Sequence, residues 1–406
     1  MRILVTDGMD KTAMAELKAQ GHEVVEQFYE PAELGKALRD FDVVVVRSKT
    51  KVRAAQIDEA KGSQLKLIIR GGVGVDNIDV DYAKAAGIDV KNTPRASSES
   101  VAELAMAHMF SCARYISHAG YTMRNGQWEK KAYGKGIELC GKTLGVVGFG
   151  RIGQKLGVMA KAIGMNVIAF DIFHIPGIEE QLGIPYVEMD ELLAKADFIS
   201  VHAPAVDGGA LINAERIAKM KDGVVIINTS RGTNVDEAAL LAGLESGKVR
   251  AAGLDVYADE PATNKALYSH PMVSCTPHIG AATVEAQKRI GAEIVDIISK
   301  MYAPLSNRSK GKPAGASLLS YSRGSFHRLH QQHTLRCTLW KKVRTMWSFG
   351  AQPARLPPFR TRITARAFTA FRCAWSVCPG RATCRSSLPP PLCWRASTLQ
   401  RARPCA

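Results

Sequence analysis

Residues 142–171, KTLGVVGFGRIGQKLGVMAKAIGMNVIAFD, decide how this 406-residue chain folds. Thr143 to Phe149 is apolar and β-prone, and Gly148, Gly150 and Gly153 follow as G-x-G-x-x-G. A helical run then leads to a second apolar strand, Asn166 to Phe170, which ends at Asp171. Each glycine has a mechanical reason: one turns the chain sharply, one lets a pyrophosphate approach the backbone, and one lets helix and strand pack closely. The helix amino terminus presents free N–H groups and a partial positive charge to the phosphates. Asp171 lies 18 residues past the last glycine, where a carboxylate accepts hydrogen bonds from both ribose hydroxyls and repels a 2′-phosphate. The combination predicts a βαβ unit that binds NAD in preference to NADP. A tight glycine turn without a ligand is the plainer alternative.

Outward from this unit, short β-rich runs alternate with helical ones. Before it stand Arg2 to Thr6, His22 to Val25, Asp42 to Arg47, Leu65 to Ile69 and Ile88 to Val90. After it stand Phe198 to His202, Val224 to Asn228, Arg250 to Val256 and Val273 to Thr276. Fully apolar, β-branched strands in alternation with helices predict parallel sheets covered on both faces. A long helical stretch, Ser98 to Tyr115, separates the two series, with Ser98 as its expected N-cap. The fold class is therefore α/β, with two doubly wound, parallel-sheet, Rossmann-like domains and the active site in the cleft between them. A last helix, Val284 to Tyr302, carries Ile290, Ile294, Ile297 and Ile298 on one stripe and is expected to pack back on the first domain. The predicted boundaries are residues 1–97 and 285–304 for the substrate-binding domain, and 98–284 for the NAD-binding domain.

The formal charge of +16 suggests a nucleic-acid or membrane partner until it is divided along the chain. Residues 1–304 hold 35 Lys+Arg against 38 Asp+Glu, close to neutrality, while residues 305–406 hold 19 basic residues and no acid. That tail also holds six of the nine cysteines and four of the five tryptophans, without a sustained period of 2 or 3.6. It reads as sequence not selected to fold, disordered or an out-of-frame reading, with a basic nucleic-acid arm as the alternative. Cys112, Cys140 and Cys275 are far apart and lack a C-x-x-C, so neither a disulfide framework nor a metal site is suggested. The chain opens without the charged start and apolar core of a secretory leader, and no apolar run reaches the ~18 residues of a membrane span. A cytoplasmic protein with no membrane partner is expected.

Three polar side chains stand where strands of the second series end: Arg231 after Val224 to Asn228, Glu260 after the strand ending at Val256, and His278 after Val273 to Thr276. In a parallel sheet all three come to the edge that carries the glycine loop. Oxidising an alcohol with NAD needs a base for the hydroxyl proton, and histidine suits both directions of that transfer. A carboxylate against the other ring nitrogen fixes the tautomer, and an arginine forks onto a substrate carboxylate. Taken singly, each has a mundane reading as a loop histidine, a turn acid or a carbonyl-capping arginine.

Residues 1 to about 304 resemble the D-2-hydroxyacid dehydrogenase family. The resemblance is carried by Gly-Val-Val-Gly-Phe-Gly-Arg-Ile-Gly (145–153), Asn-Thr-Ser-Arg-Gly (228–232), Gly-Leu-Asp-Val-Tyr-Ala-Asp-Glu-Pro (253–261) and Pro-His-Ile-Gly-Ala (277–281). It implies catalytic roles for Arg231, Glu260 and His278, and NAD contacts from Arg151, Ile152, Asp171, Ala203, Thr229, Asp255, Gly280 and Ala281. The segments 46–52, 70–79 and 124–131 resemble the phosphoglycerate dehydrogenase branch, which implies a substrate bearing phosphate and carboxylate and a place in serine biosynthesis. Arg47 and Arg70 are then candidates for the phosphate, and the N–H groups of Gly74 and Val75 for the carboxylate. Nothing after residue 304 resembles that branch's serine-binding domain, so feedback inhibition is not expected. The resemblance also implies a homodimer paired through Ser98 to Trp128. A hydroxypyruvate or glyoxylate reductase, or a non-enzymatic, NAD-sensing corepressor-like protein, stand as the alternatives.

Overall fold

The computed structural model describes residues 1–206 and 208–302; the basic tail and the readings attached to it lie outside the described residues. The first sheet is built from β1 (Arg2–Val5), β2 (Glu23–Glu26), β3 (Val43–Val46), β4 (Leu67–Arg70) and β5 (Asp89–Asn92). Its strands are all parallel, in the order β2-β1-β3-β4-β5. The second contains β6 (Thr143–Val147), β7 (Asn166–Phe170), β8 (Phe198–Val201), β9 (Val224–Asn228), β10 (Val249–Leu254) and β11 (Val273–Cys275). These too are all parallel, in the order β11-β10-β9-β8-β6-β7. The runs predicted as strands thus form strands, with ends displaced by up to two residues; the central Val- and Ile-rich segments bury both faces, whereas the edge strands β2 and β5 are only partly covered. The four valines of β3 are all buried.

Helices cover both faces of each sheet and give each two hydrophobic layers. The helix Val284–Tyr302 leaves the second sheet and sets Ile290, Ile294, Val295 and Ile298 among Ile3, Val5, Val43 and Ile69 of the first. Both sheets reverse their winding direction once, between β1 and β3 and between β6 and β8. At such a reversal neighbouring connections diverge to opposite faces and leave a crevice beyond the carboxyl ends of the strands.

The helix between the sheets differs from expectation at both ends. It spans Ser98–Arg114 with Ser97, not Ser98, at the N-cap. Ser98 is the first helical residue, and its hydroxyl donates back to the Pro94 carbonyl at 3.5 Å instead of capping the helix. At the other end Tyr115 adopts a left-handed φ of 57°, which stops the helix and starts a second one, Ile116–Arg124.

Candidate active site

The glycine loop is shaped by three different constraints. Gly148 has φ +92°, and a Cβ there would lie 2.6 Å from the Ala203 nitrogen, so the turn after β6 passes directly against the end of β8. A Cβ on Gly153 would lie 2.3 Å from the Gly148 oxygen, which is the close packing of helix on turn. A Cβ on Gly150 would meet nothing within 4 Å. That open face sits at the amino terminus of the helix Arg151–Ala162, whose first N–H groups have no intrahelical partner, and it suits a pyrophosphate. Arg151 is exposed at the start of this helix and Ile152 packs partly into the core. Asp171, at the end of β7, accepts from the Phe149 N–H at 2.7 Å and the Phe173 N–H at 3.0 Å, one on each carboxylate oxygen. Each oxygen retains a lone pair, so the acid is held beside the loop with acceptor capacity left for a diol. Ala203 lies against Gly148, and Thr229, after β9, has a buried hydroxyl without a hydrogen-bond partner among the described residues. These features fit a dinucleotide lying across the β6/β8 crevice.

Asp255 follows β10 and is buried. Its Oδ1 accepts from the Thr276 hydroxyl at 2.6 Å and the Ile279 N–H at 2.8 Å, and its Oδ2 accepts from the Gly280 N–H at 2.8 Å. The carboxylate therefore shapes the loop 277–281, whatever it contributes to a cofactor. Gly280 packs on that carboxylate, and the Ala281 carbonyl accepts from Gln287 at 2.7 Å. Between the two clamped N–H groups and Thr276 lies His278, held at a left-handed φ of 54°. Non-glycine residues take this conformation rarely, and it is maintained here by bonds on both sides.

His278 Nδ1 lies 2.7 Å from Glu260 Oε2, and Nε2 has no hydrogen-bond partner among the described residues. Partial burial acts to raise the Glu260 pKa, but the hydrogen bond and charge of His278, with Tyr257 N–H and Arg231, outweigh it and lower the value. Glu260 thus stays an acceptor for the imidazole. Arg231 donates from Nε to Asp76 at 2.8 Å and from Nη1 to the Ser230 carbonyl at 2.7 Å. Its Nη2 lies over Gly74, where a Cβ would come within 1.6 Å of it. Arg231 belongs to the second sheet and Asp76 to the loop after β4, so one ion pair links the two halves at the cleft.

On the facing side, Arg70 and Arg47 end β4 and follow β3. Burial, with Arg231 and Arg47 nearby and Asp76 and Asp7 opposing, pushes the Arg70 pKa down to about 10. Arg70 donates from Nη1 to the Gly71 carbonyl at 3.2 Å, but its buried Nε has no partner among the described residues. The Arg47 backbone is fixed by Asp7, which accepts its N–H at 2.7 Å, whereas its guanidinium pairs with no acid among the described residues. Arg47 lines a cavity of about 430 Å³ together with Thr6, Asp7, Phe28, Ser48 and Lys49 at the β1/β3 reversal. The N–H groups of Gly74 and Val75 likewise bond to no backbone carbonyl among the described residues.

The predicted residues therefore fall into three connected groups: the dinucleotide crevice, the triad and the cationic wall. Asp76, Asp7 and Lys49 were missed by sequence reasoning. Asp76 lies inside the quoted segment 70–79, in the loop after β4, and Asp7 stands two residues past β1, so position beyond a strand end was the available signal for both.

Residues 106–280 match the family described as D-isomer specific 2-hydroxyacid dehydrogenase, NAD binding domain. The chain is 50% identical over 305 residues to a hydroxypyruvate reductase of Thermotoga maritima, covering 74% of this chain and 97% of that protein. It is 45% identical over 303 residues to a D-3-phosphoglycerate dehydrogenase of Methanocaldococcus jannaschii, covering 74% of this chain but only 57% of that one. Among solved structures, a D-lactate dehydrogenase of Aquifex aeolicus complexed with NAD and lactic acid superposes with a TM-score of 0.66 at 30% identity, over 74% of this chain and 95% of that one. Among the described residues no helix is long and apolar enough to cross a membrane. The chain belongs to the D-isomer specific 2-hydroxyacid dehydrogenases, enzymes whose cofactor is NAD.

Proposed function

We propose that the chain oxidises 3-phospho-D-glycerate to 3-phosphohydroxypyruvate, the entry reaction of serine biosynthesis. The observation that carries this reading is the cationic wall: among the described residues the buried Arg70 Nε has no partner and the Arg47 guanidinium has no acid, and Lys49 lines the same cavity as Arg47. A buried guanidinium nitrogen without a partner is costly unless an acceptor completes the site, and a substrate with two anionic groups supplies acceptors for it and for the half-buried Arg47 and the exposed Lys49.

In this reading residues 98–284 hold the cofactor and residues 1–97 with 285–304 hold the substrate. Gly150 gives the pyrophosphate room, with Gly148 and Gly153 fixing the turn and the helix behind it, and Asp171 receives the ribose hydroxyls. Arg231 and the N–H groups of Gly74 and Val75 bind the substrate carboxylate, and Arg47 and Arg70 take the phosphate. His278 Nε2 accepts the C2 hydroxyl proton as the C–O bond becomes a carbonyl, and Glu260 holds the ring with Nε2 toward the cleft. NAD, when bound, supplies the acceptor for the C2 hydride. In the reverse direction the same Nε2 returns the proton.

Hydroxypyruvate reduction is the second reading, supported by the 50% identity to a hydroxypyruvate reductase over 97% of its length. A panel of 3-phosphoglycerate, glycerate and lactate with NAD, and hydroxypyruvate and glyoxylate with NADH, separates the two. The first reading requires the highest kcat/KM with the phosphorylated acid, and its loss in Arg47→Gln and Arg70→Gln. Preference for hydroxypyruvate, unaffected by those two substitutions, overturns it.

A further inference from the structure

A buried histidine outside the triad joins the helix Ser98–Arg114 to the loop that carries His278. His108 is 3% exposed, and both ring nitrogens are engaged: Nδ1 lies 3.0 Å from Ser274 Oγ and Nε2 lies 3.1 Å from Thr276 Oγ1. The ring packs so tightly on β10 that a Cβ at Gly253 would come within 2.6 Å of the His108 Cβ. Thr276 is the node of the loop. Its hydroxyl reaches Asp255 at 2.6 Å, and its carbonyl accepts from the His278 N–H and the Tyr257 hydroxyl, both at 3.1 Å.

The proton positions in this chain follow from donor and acceptor capacity. The Asp255 carboxylate accepts from the Ile279 and Gly280 N–H groups and, as a carboxylate, has no proton to give. The single Thr276 hydroxyl proton therefore goes to Asp255, and Thr276 Oγ1 must accept from His108. That places the ring proton on Nε2 and makes Nδ1 the acceptor for the Ser274 hydroxyl. A second proton on the ring would be donated to Ser274 Oγ, so the bonds alone admit it; burial disfavours it, lowering the His108 pKa against the opposing pull of Asp255 and keeping the ring neutral.

We propose that His108 is a positioning residue for the reaction: its neutral, Nε2-protonated ring sets the Thr276 hydroxyl, and through it the Asp255 carboxylate, in the orientation that frames the left-handed His278 turn. The inference rests on His278 being the acid–base residue, and His278→Gln tests that premise separately through loss of turnover.

The test uses the full chain. His108→Leu fills the space and removes both bonds, so kcat is expected to fall about tenfold or more while KM for the hydroxy acid stays within about twofold. His108→Gln can still donate to Thr276, and is expected to return kcat to within about threefold of the parent. Selective ¹⁵N-histidine labelling of the unmodified protein should show one slowly exchanging histidine with its proton on Nε2 and an acceptor Nδ1, a result independent of whether any variant folds. Three results would overturn the proposal: an Nδ1-protonated ring, a Leu variant with kcat within twofold of the parent, or Leu and Gln variants impaired equally.

Discussion

Gly74→Ala separates the position of the Arg231 guanidinium from the stability of the fold. A Cβ at Gly74 would lie 1.6 Å from Arg231 Nη2, 2.7 Å from its Cζ and 2.6 Å from Asp76 Oδ2. Non-bonded carbon and nitrogen atoms settle near ~3.5 Å, so the guanidinium must retreat by about 2 Å. The bond from Nε to Asp76, now 2.8 Å, cannot survive that movement unchanged. The displaced atoms are the far end of a long side chain, so folding is little affected, within about 0.5 kcal/mol. Misplacing a substrate-orienting group by ~1 Å costs roughly 100-fold in rate, equivalent to about 2.7 kcal/mol of transition-state stabilisation. The expected outcome is kcat/KM down about 100-fold in both directions of the reaction, followed by nicotinamide absorbance, with an unchanged thermal midpoint. The double variant isolates the cause: in an Arg231→Gln background, Gly74→Ala should add little, because its closest clash is with a group no longer present and the exposed Asp76 carboxylate, freed from its ion pair, can swing away. A Gly74→Ala enzyme within threefold of the parent would refute the placement of Arg231 in the reacting position. Full additivity in the double variant would show instead that Gly74 acts through its own backbone.

His278→Gln should lower kcat by roughly 10²–10⁴, the usual contribution of a positioned acid–base group, and Glu260→Gln should lower kcat with KM little changed; normal turnover in the first would remove the triad. Asp171→Ala should raise KM for NAD and admit NADP, and steady-state kinetics with both cofactors decides it: unchanged discrimination would place the ribose elsewhere. The partly buried His202 ring, with its Nδ1 enclosed and its pKa pushed by burial from 6.5 down to about 4, makes the fold acid-sensitive. As pH falls the unfolded chain takes up this proton near the ordinary value while the native ring stays neutral, so stability is lost between about 6.5 and 4. The ceiling is about 3 kcal/mol. Denaturant melts across that window should be flatter in His202→Asn, and identical slopes in parent and variant would contradict the burial argument.

What could be read from the sequence is what is local. The strands were legible because Val43–Val46 or Val224–Asn228 are apolar on both faces over the length of a strand, and only a covered parallel sheet accommodates that. The glycine loop was legible because its three glycines lie within six residues in a fixed spacing, and each of Gly148, Gly150 and Gly153 meets the obstacle or open space its position implies. The N-cap failed at the same local scale. Ser97 and Ser98 are chemically equivalent candidates, and the choice between them was made by a carbonyl at Pro94 whose direction no pattern reports.

The convergence of Arg231, Glu260 and His278 needed one non-local step, that strand ends of a parallel sheet share an edge, and topology supplies it without any side-chain geometry. The groups that orient the triad needed more. Asp76 meets Arg231 across 155 positions and His108 meets Thr276 across 168, each as a single side-chain pair without periodicity. His108 on its helix reads as one more half-buried polar residue, and Asp255 as a motif acid facing a ligand. Only the coordinates show that Asp255 grips the Ile279 and Gly280 N–H groups and that His108 stands behind it. The groups proposed to react are therefore announced by where strands end. Their orientation depends on hydrogen bonds between distant segments, among them the two that the His108 ring makes to Ser274 and Thr276, which no motif announces.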